Sequence, residues 1–361
     1  MATSTLGTAV VGASGWGRNV VRAFFMAKGS SLRWVCDLNE ALLGGVAERF
    51  PGVKATRSLD QVLADPEVRA VAVAVDSPNH HGVARAALEA GRHVFVEKPL
   101  ALTAADASTL CALAEARGLT LMTGHLLLYH PAVERTKALV DAGELGEVLY
   151  ACSERVNLGI VRDAENAWWS LAAHDVAVAI HLFGATPLAV SATGAAYLRR
   201  DIADVAFATL RFADGRIAHL HVSWLDPHKR RSLTVVESKK MLTFDDTAAD
   251  EKIKIYDKGA VPRPGHATFA EGVAVRVGDV VSPFIANREP LVAECEHFVS
   301  CVTEGRPPRS DGRQGLDVVR VLEAGDASIR AGGTPIAVAG GGDDHPRGGN
   351  AGRSGGRDGA G

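Results

Sequence analysis

Three short strings carry residue types that could do chemistry. In TAVVGASGWGRNVV, Gly12, Ser14 and Gly17 stand in a G-x-G-x-x-G frame, with Gly15 and Trp16 inside it. In HVFVEKPL, Lys98 lies between Glu97 and Pro99, directly after an apolar run. In ENAWWSLAAHDVAVAIHLFG, His174 sits in a stretch of helical period behind the paired Trp168 and Trp169. A glycine frame of this kind permits a tight turn, lets the backbone approach a pyrophosphate and lets the next helix pack close to its strand. Ser14 is the smallest departure from the middle glycine, and its hydroxyl could add a phosphate contact. A lysine at a strand's carboxyl end stands where a nicotinamide would reach and can hydrogen-bond a substrate hydroxyl. Each signal is ambiguous alone, because glycine turns are common, loop lysines are ordinarily solvated, and a lone helical histidine is usually structural.

The elements around these strings decide how to read them. Apolar runs at Val10 and Val11, Leu32–Cys36, Ala70–Val75, His93–Val96 and Thr120–Met122 alternate with helical stretches at Asn19–Lys28, Glu40–Phe50, His80–Ala90 and Ala104–Arg117. This alternation predicts a doubly wound parallel sheet over residues 1–127, a Rossmann arrangement with ligands at the carboxyl ends of its strands. Asp37 ends the second run, where a carboxylate can accept from both hydroxyls of an adenosine ribose and repel a 2′-phosphate. Leu38 and Asn39 offer no cation to hold such a phosphate, so NAD is expected as cofactor, with NADP the alternative. Asp37 could equally cap the helix that begins at Glu40, and the two roles can coexist.

After a helix near Pro131–Ala142 the pattern changes. Val148–Leu158, Leu188–Tyr197, Ala206–Phe212, Ile217–Trp224, Ser232–Val236, Met241–Phe244 and Ile253–Tyr256 read as strands. Helices are expected near Trp168–Phe183, Glu289–Thr303 and Gly315–Ala331. Residues 128–338 are therefore expected to form an α+β domain with a large, open, mostly antiparallel sheet. Residues 339–361 contain no apolar side chain larger than alanine and are expected to form a disordered Gly-rich tail.

Composition narrows the function. The 361 residues carry a formal net charge of −3, which supplies no field for a polyanion, so nucleic acid is not an expected partner. No apolar run is long enough to span a membrane and the first residues do not resemble a signal peptide, so a cytoplasmic protein is expected. Cys36, Cys111, Cys152, Cys295 and Cys301 are scattered without metal-ligand or disulfide spacing. His80 and His81 look like a metal pair but lack further ligands, so no metal is expected.

The segment AVDSPNHHGVARAALEAGRHVFVEKPLALTAADA resembles the glucose-fructose oxidoreductase, inositol dehydrogenase and MocA superfamily. Its marks are T/S-P-x-x-H after the fourth strand, here Ser77, Pro78 and His81, and E-K-P after the fifth, here Glu97, Lys98 and Pro99. The resemblance implies a cis Lys98–Pro99 bond. It also implies that Ser77, Asn79, His81, Glu97 and Pro99 lie on the cofactor side with Gly12, Ser14, Gly15, Trp16, Gly17 and Asp37. It makes His174 the general acid-base residue, one helical turn after a position where the family has Asp and this chain has Ser170. GHLLLYHPAVERTKALVDAGELGEV, RVNLGIVRDAENAWW and the pair His174-Asp175 are similar to a branch of UDP-N-acetylhexosamine and hexosaminuronate 3-dehydrogenases. That likeness makes His125, Tyr129, Asn157, Arg162 and Asp175 candidate substrate contacts, with Arg162 a partner for a diphosphate; each could equally serve the structure.

The expectation is an NAD-dependent sugar dehydrogenase that oxidises a pyranose hydroxyl, the 3-hydroxyl by likeness to the branch, with Lys98 and His174 catalytic. Competing readings are a dehydrogenase or 3-ketoreductase for an aminoglycoside, inositol or free hexoside, and a non-enzymatic nucleotide sensor. The exposed sheet face implies a homodimer or homotetramer.

Overall fold

The computed structural model describes residues 5–159, 161, 165–262 and 273–342. The first part of the chain folds as β1 (Leu6–Val11), α1 (Gly17–Met26), β2 (Ser30–Cys36), α2 (Glu40–Leu43), α3 (Val46–Arg49), β3 (Lys54–Thr56), α4 (Leu59–Ala64), β4 (Ala70–Val73), α5 (His80–Glu89), β5 (His93–Glu97), α6 (Ala104–Ala116) and β6 (Leu121–Gly124). The six strands are parallel in the order β3-β2-β1-β4-β5-β6. Every residue of β1 and β4 is buried, as a sheet covered on both faces requires. Strand order reverses between β1 and β4, which opens a crevice beyond their carboxyl ends. The single helix expected over Glu40–Phe50 is two short ones, because Gly44 and Gly45 intervene and Gly45 is left-handed, with φ of 76°. Neither β3 nor α4 is foreseen by periodicity, since a three-residue strand has none to show.

The second part comprises α7 (Pro131–Asp141), β7 (Val148–Val156), α8 (Ala173–Phe183), β8 (Ala189–Ala195), β9 (Val205–Arg211), β10 (Ile217–Ser223), β11 (Arg230–Glu237), β12 (Met241–Asp245), β13 (Ile253–Pro262), β14 (Val273–Val281), α9 (Pro290–Glu304), α10 (Gly312–Arg330) and β15 (Ile336–Ala337). Its nine strands lie in the order β14-β13-β12-β11-β7-β10-β9-β8-β15, and only β7 and β10 run parallel. Alternation settles which face is covered: Ala218, Leu220 and Val222 are buried, while Ile217 and His219, which alternate with them, are exposed. β14 was not expected, and β13 runs on past Tyr256, where Asp257, Lys258 and Gly259 obscure the alternation. The first residues of the stretch expected to be a disordered tail are instead ordered: Gly341 donates to Val338 O and Gly342 to Thr186 O, so the chain is held at the sheet edge as far as Gly342. Residues 343–361 lie outside the described residues. Among the described residues no helix is long and apolar enough to cross a membrane.

One continuous core joins the two sheets. Phe24 of α1, Phe95 of β5 and Phe298 of α9 meet edge to face, with centroids 5.6 to 6.1 Å apart. α10 packs against α6 on one side and β8 on the other. Trp168 is fully buried beneath α10 and donates from Nε1 to Leu322 O at 2.9 Å, so it belongs to the core. A Cβ on Gly325 would stand 2.4 Å from the Trp168 ring. Gly325→Ala is therefore expected to destabilise by about 1–3 kcal/mol from overpacking, against the roughly 1 kcal/mol gain that alanine brings to an unobstructed helix. Urea denaturation gives the sign directly, and a net stabilisation would mean that the ring moves aside freely.

Candidate active site

The loop after β1 has glycine where nothing else fits. Gly12 has φ of 100°, and a Cβ there would lie 2.4 Å from Ala74 O; on Gly17 it would lie 2.4 Å from Gly12 O. Gly15 is also left-handed but faces open space, and Ser14, Gly15 and Trp16 are exposed. This close-packed turn at the start of a helix has the backbone needed to approach a dinucleotide pyrophosphate. Asp37 at the end of β2 accepts from Ala13 N at 2.7 Å and Asn39 N at 2.9 Å, so it braces the loop. The cap of α2 is Asn39, which accepts from Ala41 N; Asp37 is not the cap. Trp16 reaches across the crevice and donates from Nε1 to Glu97 Oε1 at 2.9 Å.

The Lys98–Pro99 bond is cis. Lys98 Nζ donates to Ser170 O at 2.9 Å. Ser170 belongs to a π-helical turn, Trp168–Ala172, that runs into α8, so the lysine is fixed one helical turn before His174. His174 Nδ1 is enclosed and has no hydrogen-bond partner. Burial, with the charges of Lys98, Arg155, His125 and Arg231, holds this imidazole well below the usual histidine range, so it is neutral at neutral pH. His125, just after β6, is buried with no partner for either ring nitrogen, and burial beside Lys98 pushes it down to about 3. Enclosed polar nitrogens beside a fixed ammonium suit a polar ligand that supplies the missing hydrogen bonds.

Other expected positions lie elsewhere. Asp175 faces the sheet, accepting from Ser153 Oγ at 2.6 Å and from Arg155 Nε and Nη2 at 2.7 and 3.1 Å. It is a buried ion pair under the site rather than a substrate contact. The Tyr129 hydroxyl meets Ser310 Oγ at 2.9 Å inside the core, so Tyr129 is not a substrate contact either. His81 reaches Thr109 on α6, whereas His80 is buried with Nδ1 2.7 Å from Pro99 O and Nε2 2.9 Å from Val75 O. The histidine that ties the fourth strand's end to the lysine loop is thus His80, and the cofactor-side expectation for His81 is corrected. Ser77 and Asn79 form a 3-10 turn after β4. Asn157 follows β7 and donates its backbone N–H to Ser223 O. Arg162 lies outside the described residues. Sequence reasoning missed Arg155, whose sole signal is its place two residues after Ser153 on one strand face.

Residues 6–125 match the family model described as oxidoreductase family, NAD-binding Rossmann fold, and residues 133–243 match the GFO/IDH/MocA C-terminal domain. UDP-N-acetylglucosamine 3-dehydrogenase of Acidithiobacillus ferrooxidans is 30% identical over 313 residues, 86% of this chain and 93% of the relative. The chain belongs to the Gfo/Idh/MocA oxidoreductase family. It is an oxidoreductase whose first domain matches the NAD-binding Rossmann fold of that family. A solved structure of the same A. ferrooxidans enzyme, GnnA, superposes with a TM-score of 0.76 at 29% identity, covering 91% of this chain and 98% of that one. GenD2 from gentamicin A biosynthesis, solved in complex with NAD, superposes with a TM-score of 0.77 at 27% identity, covering 93% and 97%.

Proposed function

We propose that the protein is an NAD-dependent dehydrogenase that oxidises the 3-hydroxyl of the pyranose in a nucleotide sugar to the 3-keto sugar. The observation that carries this reading is the bond from Lys98 to the Ser170 carbonyl, which sets an ammonium one helical turn from a neutral, enclosed His174. NAD, when bound, supplies the hydride acceptor. His174 takes the hydroxyl proton, which its depressed basicity allows because the ring is uncharged beforehand. Lys98 donates a hydrogen bond to the same oxygen and stabilises the alkoxide as it forms. His125 orients a neighbouring hydroxyl. Asp37 keeps an acceptor lone pair on each oxygen for the ribose and disfavours a 2′-phosphate, which selects NAD over NADP. The position of oxidation and the nucleotide rest on likeness to the A. ferrooxidans enzyme.

A second reading is favoured by Ser170, which leaves no carboxylate one turn before His174, and by the likeness to GenD2: oxidation, or reduction of the 3-ketone, on an aminoglycoside, inositol or free hexoside. Residues 1–127 would serve the cofactor and residues 128–338 the sugar and assembly. Tyr150, Ile217 and Phe207 are exposed on one face of the large sheet, which suits coverage by a second copy in a dimer or tetramer; a cytoplasmic location fits the metabolites involved.

Incubation with NAD or NADP and a panel of UDP-sugars, aminoglycosides, inositols and hexosides, read at the NADH band, tests the proposal. Reduction of NAD by a UDP-N-acetylhexosamine is expected. Turnover confined to aminoglycosides, inositols or hexosides would establish the second reading, and a preference for NADP would defeat the role given to Asp37.

A further inference from the structure

Trp16 is out of place for its type. It is 49% exposed, in a chain whose Trp168 and Trp224 are buried and whose Trp34 and Trp169 are half-buried. A large apolar ring left in water is the informative exception to burial. Nor is the ring loose. Trp16 directly precedes α1 and its carbonyl accepts from Asn19 N at 2.8 Å, so the side chain leaves from a fixed helical turn. At its far end Nε1 donates to Glu97 Oε1 at 2.9 Å. Glu97 is placed in turn by Gly124 of β6, where a Cβ would stand 3.2 Å from the Glu97 carboxyl carbon; glycine leaves the room that this side chain takes.

β1, β4 and β5 are successive neighbours in the sheet. Strands lie about 4.8 Å apart, so the end of β1 and the end of β5 are about 10 Å apart, with the end of β4 between them. The tryptophan and the glutamate together span that interval. A dinucleotide with its pyrophosphate at the start of α1 and its adenosine ribose at Asp37, on the β2 side, has its other half over β4 and β5, toward Lys98. That half and the indole share one stretch of the crevice. An oxidised nicotinamide is a cation, and the face of an indole is the best aromatic partner for a cation; reduction removes the charge.

We propose that Trp16 forms a wall of the nicotinamide subsite and favours the oxidised cofactor over the reduced one, with Glu97 as the positioning residue that pins the indole across the crevice. The inference rests on NAD as the cofactor and is independent of the sugar. It gives the two charged residues of the Glu97-Lys98-Pro99 string separate tasks: Lys98 reaches forward to the turn that carries Ser170, and Glu97 reaches back to the glycine loop.

The test uses full-length protein and no sugar. Subtracting the fluorescence of Trp16→Phe from that of the parent isolates the Trp16 emission from the other tryptophans, and saturating NAD is expected to quench most of it. By isothermal titration calorimetry, Trp16→Leu is expected to lose about tenfold in affinity for NAD, the worth of one partly desolvated contact between a cation and a ring, and at most about twofold for NADH. Glu97→Gln keeps an acceptor at the same reach and is expected to preserve the quench, by the same subtraction, whereas Glu97→Leu is expected to lose it. Trp16 is exposed, so its variants keep the fold, which the urea midpoint checks; if Glu97→Leu does not fold, the Trp16 variants and Glu97→Gln decide. Trp16 emission unmoved by NAD, parental NAD affinity in Trp16→Leu, or equal losses for NAD and NADH would overturn the proposal. Equal effects of Gln and Leu at position 97 would overturn the role of Glu97. A parent that binds neither form of the cofactor would refute the cofactor assignment and this inference with it.

Discussion

Lys98→Met is expected to lower kcat by about a hundredfold to a thousandfold, the usual effect of removing one donor to a developing oxyanion, while NAD binding by calorimetry stays near normal. Methionine has similar length and no charge, so the volume beside Ser170 stays filled while the hydrogen bond is lost. His174→Ala is expected to cost about a hundredfold to ten-thousandfold, the range for a positioned general base. The two losses should fall in kcat rather than in cofactor affinity, since neither side chain braces the glycine loop. Full turnover in either variant would remove the assignment. The pH profile adds a check with a definite sign. His174 is held well below the usual histidine range, so its basic form persists as pH falls and is lost only when pH passes that lowered value. A loss of rate in the parent that centres on the ordinary value of 6.5 and disappears in His174→Ala would contradict this environment.

The largest stability effect is expected at Asp175. Asp175→Ala leaves the buried Arg155 guanidinium without its acceptor, and breaking such a pair from one side costs about 3–5 kcal/mol. The loss should appear in urea denaturation, with a smaller loss for Asp175→Asn, which keeps an acceptor for Arg155. Removing both charges, as Arg155→Met with Asp175→Leu, should recover much of the deficit because the desolvation cost vanishes with them. If Asp175→Ala is as stable as the parent, the pair does not hold α8 on the sheet. Because Asp175 follows His174 on the same helix, the single variant should also lose activity, and failure of the double variant to recover it would separate charge from packing.

The parts of the site legible in the sequence are those whose chemistry is local. Gly12 and Gly17 are dictated by backbone clearance within one turn, and Lys98 is marked by the residues on either side of it. The rest depends on distant partners. Asp175 reads as a site residue until Arg155, on another element, claims it. Tyr129 reads as a contact until Ser310 takes its hydroxyl. His80 and His81 are adjacent, with His81 alone on the T/S-P-x-x-H spacing, and side chains one residue apart on a helix diverge by about 100°, so only packing shows which points inward. The fold was legible to the same depth. The parallel and antiparallel halves follow from strand and helix alternation, while β3, α4 and β14 are too short or too interrupted to announce themselves.

The Phe24, Phe95 and Phe298 cluster bears on the order in which the chain is made. Phe24 and Phe95 leave the ribosome before the second sheet is made, but the ring that closes over them belongs to α9, which follows that sheet. Until that helix emerges, the nascent dinucleotide domain carries an uncovered aromatic surface. Its maturation therefore waits on translation through α9, and a chain ended at residue 127 would expose that surface permanently.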